Sequence, residues 1–156
     1  MKKAIIKDLL FNSISKIFGE MAFIDVEETD IKPDFQENGT IVGNKENYTI
    51  YSIDILKPFL GTIFMLIPEE LKKAVTINIF GDNIEAGSNQ DKSTDCLLEI
   101  LTIVTGDFLN SYIGYGRKFV IDLPKISVNP EMFYNKNVSR FALDAEGQLF
   151  EVGYIL

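Results

Sequence analysis

Four residues within positions 91–111 carry the strongest hint of chemistry in this chain. Asp95, Glu99, Thr102 and Gly106 follow one another at steps of four, three and four residues, and in a helix those steps bring side chains onto one line. Two carboxylates and a hydroxyl would then stand along a ridge that ends in a glycine gap. Such a ridge can present chemistry to a partner through its oxygens. It can equally be a solvated helix face, the ordinary fate of exposed acids.

Much other chemistry is ruled out by composition. The chain has no histidine, which removes a Ser-His-Asp triad, a Cys-His dyad and any His-based metal site. Its single cysteine, Cys96, cannot form an internal disulfide and suits a reducing cytoplasm. We expect it as a small side chain near the core edge. Asp91, Asp95 and Glu99 would give oxygen ligands suited to Mg²⁺ or Ca²⁺, a weaker reading than solvation. A calcium-loop frame places Asp82 first and Gly87 sixth but fails at Ile84 and Ser93, where oxygen ligands are needed. No metal of the chain's own is expected.

The net charge of −8 argues against nucleic acid as a partner, since Lys2, Lys3 and Lys7, or Lys72 and Lys73, are too few to form a basic patch. No uninterrupted apolar run reaches the roughly 18 residues of a bilayer span. Lys7 and Asp8 break what would be the apolar part of a signal peptide. A cytoplasmic protein without a membrane partner is the expectation.

The elements that must position the ridge follow from periodicity. Over 91–111, Leu97, Leu98, Leu101, Val104 and Phe108, widened by Ile100 and Ile103, make the apolar face of a long helix that Asp91 or Ser93 could cap. A first helix is predicted over 3–21, and a short strand over 22–26. Residues 30–43, with Pro33, Asn38-Gly39 and Gly43, read as a surface loop or an edge hairpin. Residues 48–56 alternate, with Tyr51, Ile53 and Ile55 on one face and Ser52 and Asp54 on the other, and pair with 62–67 across a Pro58 and Gly61 turn. Pro68 at a first helical position, then Glu69 and Glu70, opens a helix ending near Gly81, although Val75, Ile77 and Ile79 would also suit a strand. Residues 118–123 read as a strand ending at Pro124, and 127–137 as irregular. Residues 138–143 and 148–155 close the chain as a hairpin.

An internal repeat ties these elements together. One constant offset sets Asp8 on Asp95, Leu10 on Leu97, Asn12 on Glu99, Ser15 on Thr102 and Gly19 on Gly106, with an acid, Glu20 or Asp107, after each glycine. Downstream, residues 51–54 resemble 141–144, and 61–64 resemble 147–150. The 156 residues are the size of one ordinary domain. The predicted fold is α+β: two duplicated helix-plus-hairpin halves in one domain, forming a largely antiparallel sheet with two long helices packed on it.

This pattern resembles the CheC/CheX family of chemotaxis phosphatases, which remove phosphate from the response regulator CheY. The family carries Asp or Ser, then Glu and Asn in the arrangement Asp-x-x-x-Glu-x-x-Asn, with a Pro further along. Asp95 and Glu99 match in type and spacing, Gly106 fits, and Pro124 lies about one residue short of its place. Thr102 stands at the Asn position. A single motif-bearing helix is closer to CheX than to CheC, and Asn12 and Ser15 make the first copy look inactive.

The resemblance implies a phosphorylated CheY-like partner that brings its own Mg²⁺ and lysine. Glu99 would grip that lysine, Asp95 and Gly106 would help seat the partner, and Thr102 would stand where the water-orienting carboxamide belongs. Positioning dominates such phosphoryl chemistry. Because the threonine arm is shorter and can bond back to the carbonyl of Leu98, weak or lost phosphatase activity is expected. A non-catalytic interaction or dimerisation module with the same fold is the alternative, and self-association into a homodimer stays open beside either.

Overall fold

The computed structural model describes residues 2–31, 36–37, 40–41, 48–81, 89–127, 130–133 and 135–156. In order, the elements are α1 (Lys2–Ala22), β1 (Val26–Thr29), β2 (Gln36–Glu37), β3 (Thr40–Ile41), β4 (Tyr48–Lys57), β5 (Gly61–Pro68) and α2 (Glu69–Phe80). They continue with α3 (Asn89–Ile113), β6 (Val120–Ile121), β7 (Lys125–Ser127), α4 (Pro130–Phe133), β8 (Ser139–Ala145) and β9 (Gln148–Ile155).

The predicted duplication is visible in the sheet. Its strands run β1-β8-β9-β5-β4-β6, with β7 also paired to β4, and every pairing is antiparallel. The hairpins β4–β5 and β8–β9 meet at the centre, where Met65 lies opposite Val152. Each half lends its outer strand to the other. β1 follows α1 yet pairs β8, whereas β6 and β7 follow α3 yet pair β4. The order therefore reads the same from either edge once the halves are interchanged.

The helices obey the same relation. In α1 the buried residues are Ile6, Leu10, Ser13, Ile14, Ile17, Phe18 and Ala22. The offset that sets Asp8 on Asp95 carries these seven onto Ser93, Leu97, Ile100, Leu101, Val104, Thr105 and Leu109, and all seven are buried. Both faces press on one side of the sheet, against Tyr51, Ile53, Met65, Leu143, Phe150 and Val152. By length and apolarity residues 92–113 would suffice to cross a bilayer; here the apolar face of this helix lies in the protein's own core.

Several expectations need correction. Residues 22–26 are not a strand: α1 runs to Ala22 and β1 begins at Val26. Ser52 does not face water, because the second face of the sheet is also covered, by a cluster of Tyr48, Ile50, Phe64, Leu66, Phe133 and Val138. Gly153 makes room for that cover, since a Cβ there would lie 2.8 Å from Val138 Cγ1. The region expected to be irregular contains the one-turn α4, which sets Phe133 edge-on to Phe64 at 5.9 Å, and just before it β7, ending at Ser127, adds to β4. The strand expected over 118–123 shrinks to Val120–Ile121.

Residues 69–80 are helical rather than extended, with Leu71 and Val75 buried and Ile77 exposed, as a helical step requires. Pro68 is the residue before the helix rather than its first, and Gly81, at φ 80°, donates its N–H to the Ile77 carbonyl. Ser93 does not cap α3. It lies inside the helix, buried, and its hydroxyl accepts a hydrogen bond from Thr76 on α2 at 2.6 Å. β2 and β3 pair as a short ladder, in line with the edge-hairpin reading of 30–43. The side chain of Asp91 and the calcium-frame residues 82–88 lie outside the described residues.

Phe150 joins the halves through the core, its ring stacked on Phe18 of α1 at 5.6 Å. Phe150→Ala should lower unfolding free energy by about 3–5 kcal/mol, the range for emptying a buried aromatic site, as read by urea denaturation.

A candidate docking ridge on α3

Burial of one α3 face decides what the opposite face offers. Asp95 and Glu99 are exposed, whereas Thr102 and Gly106 are half-buried. The twin line on α1 repeats this gradation, with Asp8 and Asn12 exposed and Ser15 and Gly19 half-buried. The structure thus brings the four predicted residues onto one side of one helix, with the acids furthest into solvent.

Thr102 is the least free of them. Its hydroxyl donates to the carbonyl of Leu98 at 3.0 Å, so its proton is committed to the helix and its oxygen is held close to the backbone. Thr105 does the same toward Leu101 at 2.7 Å, but from the buried face. The gap at Gly106 is bordered by Phe119, whose Cζ would lie 3.7 Å from an added Cβ. That is ordinary contact, so the packing of this chain does not itself demand glycine there. Pro124 stands half-buried in the link between β6 and β7.

Cys96 borders the ridge from the core side and is 7% exposed, the core-edge position expected of it. Burial pushes its thiol up, and the nearby charges of Glu99 and Asp95 push it further. Among the described residues no three His, Cys, Asp or Glu side chains converge as metal ligands. The triad of Asp91, Asp95 and Glu99 includes a side chain outside them.

The residues that hold this helix lie outside the motif. In the sequence Asp107 stands out only as the acid after a glycine. Its carboxylate accepts hydrogen bonds from Ser13 Oγ at 2.7 Å and Lys16 Nζ at 2.9 Å, both on α1. Nothing local could reveal partners 91 and 94 positions away. Burial works against the Asp107 charge, but the bonds from Lys16 and Ser13 outweigh it and hold the carboxyl below the usual range.

With this geometry in place, likeness to solved structures is informative. A crystal structure of the chemotaxis protein CheX from Desulfovibrio desulfuricans superposes with a TM-score of 0.71, covering 97% of this chain and 98% of that one at 16% identity. The chain has the CheC/CheX fold. CheX in a CheX-CheY-BeF3-Mg²⁺ complex from Borrelia burgdorferi matches with a TM-score of 0.65 over 95% of each chain, at 14% identity. The fold reaches further, to the FliM middle domain of Vibrio alginolyticus, with a TM-score of 0.54, 16% identity, and coverage of 97% and 92%. No protein-family model matches the chain, and no curated protein matches it by sequence.

Beside burial, the charge of Glu99 opposes ionisation of Cys96. Removing it with Glu99→Gln should shift the pH midpoint of Cys96 alkylation to lower pH, measured with a thiol reagent across a pH series. An unmoved midpoint would place the carboxylate away from the thiol.

Proposed function

We propose that this protein binds a phosphorylated CheY-like response regulator through Asp95, Glu99 and Thr102 on α3, and that it hydrolyses the regulator's aspartyl phosphate weakly or not at all. The fold is that of CheX and CheC proteins, and one such structure is of a CheX-CheY-BeF3-Mg²⁺ complex. Glu99 is exposed and free to reach a partner's lysine, and Gly106 leaves a shallow place for a partner's approach. The partner would supply Mg²⁺ and the phosphoryl group, so this chain needs no cofactor of its own. The setting is the cytoplasm, where such a regulator works.

One observation carries the weak-activity half of this reading: the hydroxyl of Thr102 is spent on Leu98. Hydrolysis of an acyl phosphate by positioning needs a group that reaches out to an in-line water. A carboxamide offers a donor and an acceptor on a longer arm. Because a misplacement of about 1 Å costs on the order of a hundredfold in rate, Thr102→Asn should raise phosphate release from a cognate phospho-regulator by about ten- to a hundredfold. Glu99→Gln should lower both binding and turnover. If neither change moves binding or turnover, the ridge is not the site.

The absence of the family's Asn from both halves, where Thr102 and Ser15 stand instead, favours one alternative, a non-catalytic interaction or dimerisation module. That module would bind its partner equally with and without beryllofluoride, and would self-associate into a homodimer in sedimentation. Preference for the beryllofluoride-loaded regulator excludes it.

A further inference from the structure

The two halves agree closely in what they bury but not in the polar contacts their helices make with each other. On α3, Cys96, Ile100, Ile103 and Asp107 follow at steps of four, three and four residues, and so form the flank between the ridge and the core. The matching flank on α1 is Leu9, Ser13, Lys16 and Glu20. If the halves were chemically equivalent, the contacts of Asp107 with Ser13 and Lys16 would recur as contacts of Glu20 with Ile100 and Ile103. Isoleucines have no group to bond a carboxylate. The polar clamp between the helices is therefore built on one side only, and its acceptor lies on the ridge-bearing helix, next to Gly106.

The chemistry of the clamp suits a fixing role. Apolar contact is non-directional and lets a helix roll by small amounts. A carboxylate that accepts one bond from a buried serine and another, charge-assisted, from a lysine has a defined direction. Ser13 is 2% exposed, and the two bonds use both oxygens of Asp107, Oδ2 for Ser13 and Oδ1 for Lys16. We propose that Asp107 is a positioning residue, which through Ser13 and Lys16 sets the roll of α3 against α1 and thereby the direction in which Asp95, Glu99 and Thr102 face a partner. This rests on the regulator-binding reading of the ridge. It adds that the half without the motif has become the anchor of the half that carries it.

Two measurements test it, one of them independent of any partner. Cys96 is the only thiol and lies buried on the clamped flank, so its alkylation by iodoacetamide under native conditions reports how tightly that flank is held. In Asp107→Asn, and in Lys16→Gln at an exposed position that folding tolerates, alkylation should quicken severalfold, while Lys16→Arg keeps the wild-type rate. The second measurement is the affinity for a CheY-type receiver domain from the same cell, loaded with Mg²⁺ and beryllofluoride. Asp107→Asn should weaken it about tenfold, the effect of losing one hydrogen bond to a charged group. In the double variant with Glu99→Gln, the penalties should combine to less than their product, because Asp107 acts through the placement of the residue already lost.

Unchanged alkylation in both clamp variants overturns the proposal, as does quickened alkylation with unchanged affinity or with fully multiplicative penalties. If the wild-type protein does not bind the loaded receiver, the regulator-binding reading falls and takes the role in binding with it, while the alkylation rates still decide whether the clamp holds α3.

Discussion

Pairing of β5 with β9 at the centre of the sheet is the constraint from which the rest follows. It joins two hairpins side by side and leaves β4 and β8 each needing an outer neighbour. β1, and β6 with β7, fill those places by crossing to the opposite half. After that exchange neither half has a complete sheet without the other. Alternation along the strands then sends Tyr51, Ile53, Met65, Phe150 and Val152 to one face, and α1 and α3 must both cover it. The ridge of Asp95, Glu99 and Thr102 faces away from the sheet because the residues between them are needed underneath.

That geometry explains why an exposed acid and a tethered hydroxyl coexist on one helix side. Asp95 and Glu99 have arms long enough to leave the helix surface, and both are exposed. Thr102 is β-branched and short. In a helix its hydroxyl has an acceptor within reach at the carbonyl one turn back, and it uses it. The same bond at Thr105 satisfies a hydroxyl inside the core. One local preference thus serves burial at position 105 and withholds a proton from solvent at position 102.

Most of this was legible in the sequence, and the failures share a cause. The helix periods, both central hairpins and the repeat rest on local spacing, and the offset derived from Asp8 and Asp95 carries every buried residue of α1 onto a buried residue of α3. What could not be read were features created by distant chain segments. Ser52 looked like a solvent-facing residue because α4 and Val138, which cover its face, come some eighty residues later. Ser93 looked like a cap because its hydrogen-bonding partner, Thr76, sits on another helix. β7 was missed because three residues carry too little alternation to register, and its strand character comes from pairing with β4. The ridge acids Asp95 and Glu99 were legible by the same local rule that revealed the helix; the Asp107 clamp, built between helices, was not.

The pattern of agreement and disagreement between the halves has a physical logic of its own. Apolar faces tolerate exchange of one side chain for another of similar volume, so Ile14 can match Leu101 and Ile17 can match Val104 without disturbing the architecture. Polar contacts do not tolerate it, because a donor without an acceptor is costly when buried. Symmetry is accordingly kept where the two halves share a core and broken where they carry hydrogen bonds, at Ser13 against Ile100 and Lys16 against Ile103. A duplicated fold of this kind can lose the chemistry of one copy at no structural cost, since its ridge residues face solvent. The flank of the silent copy is then available to acquire the contacts that orient the other.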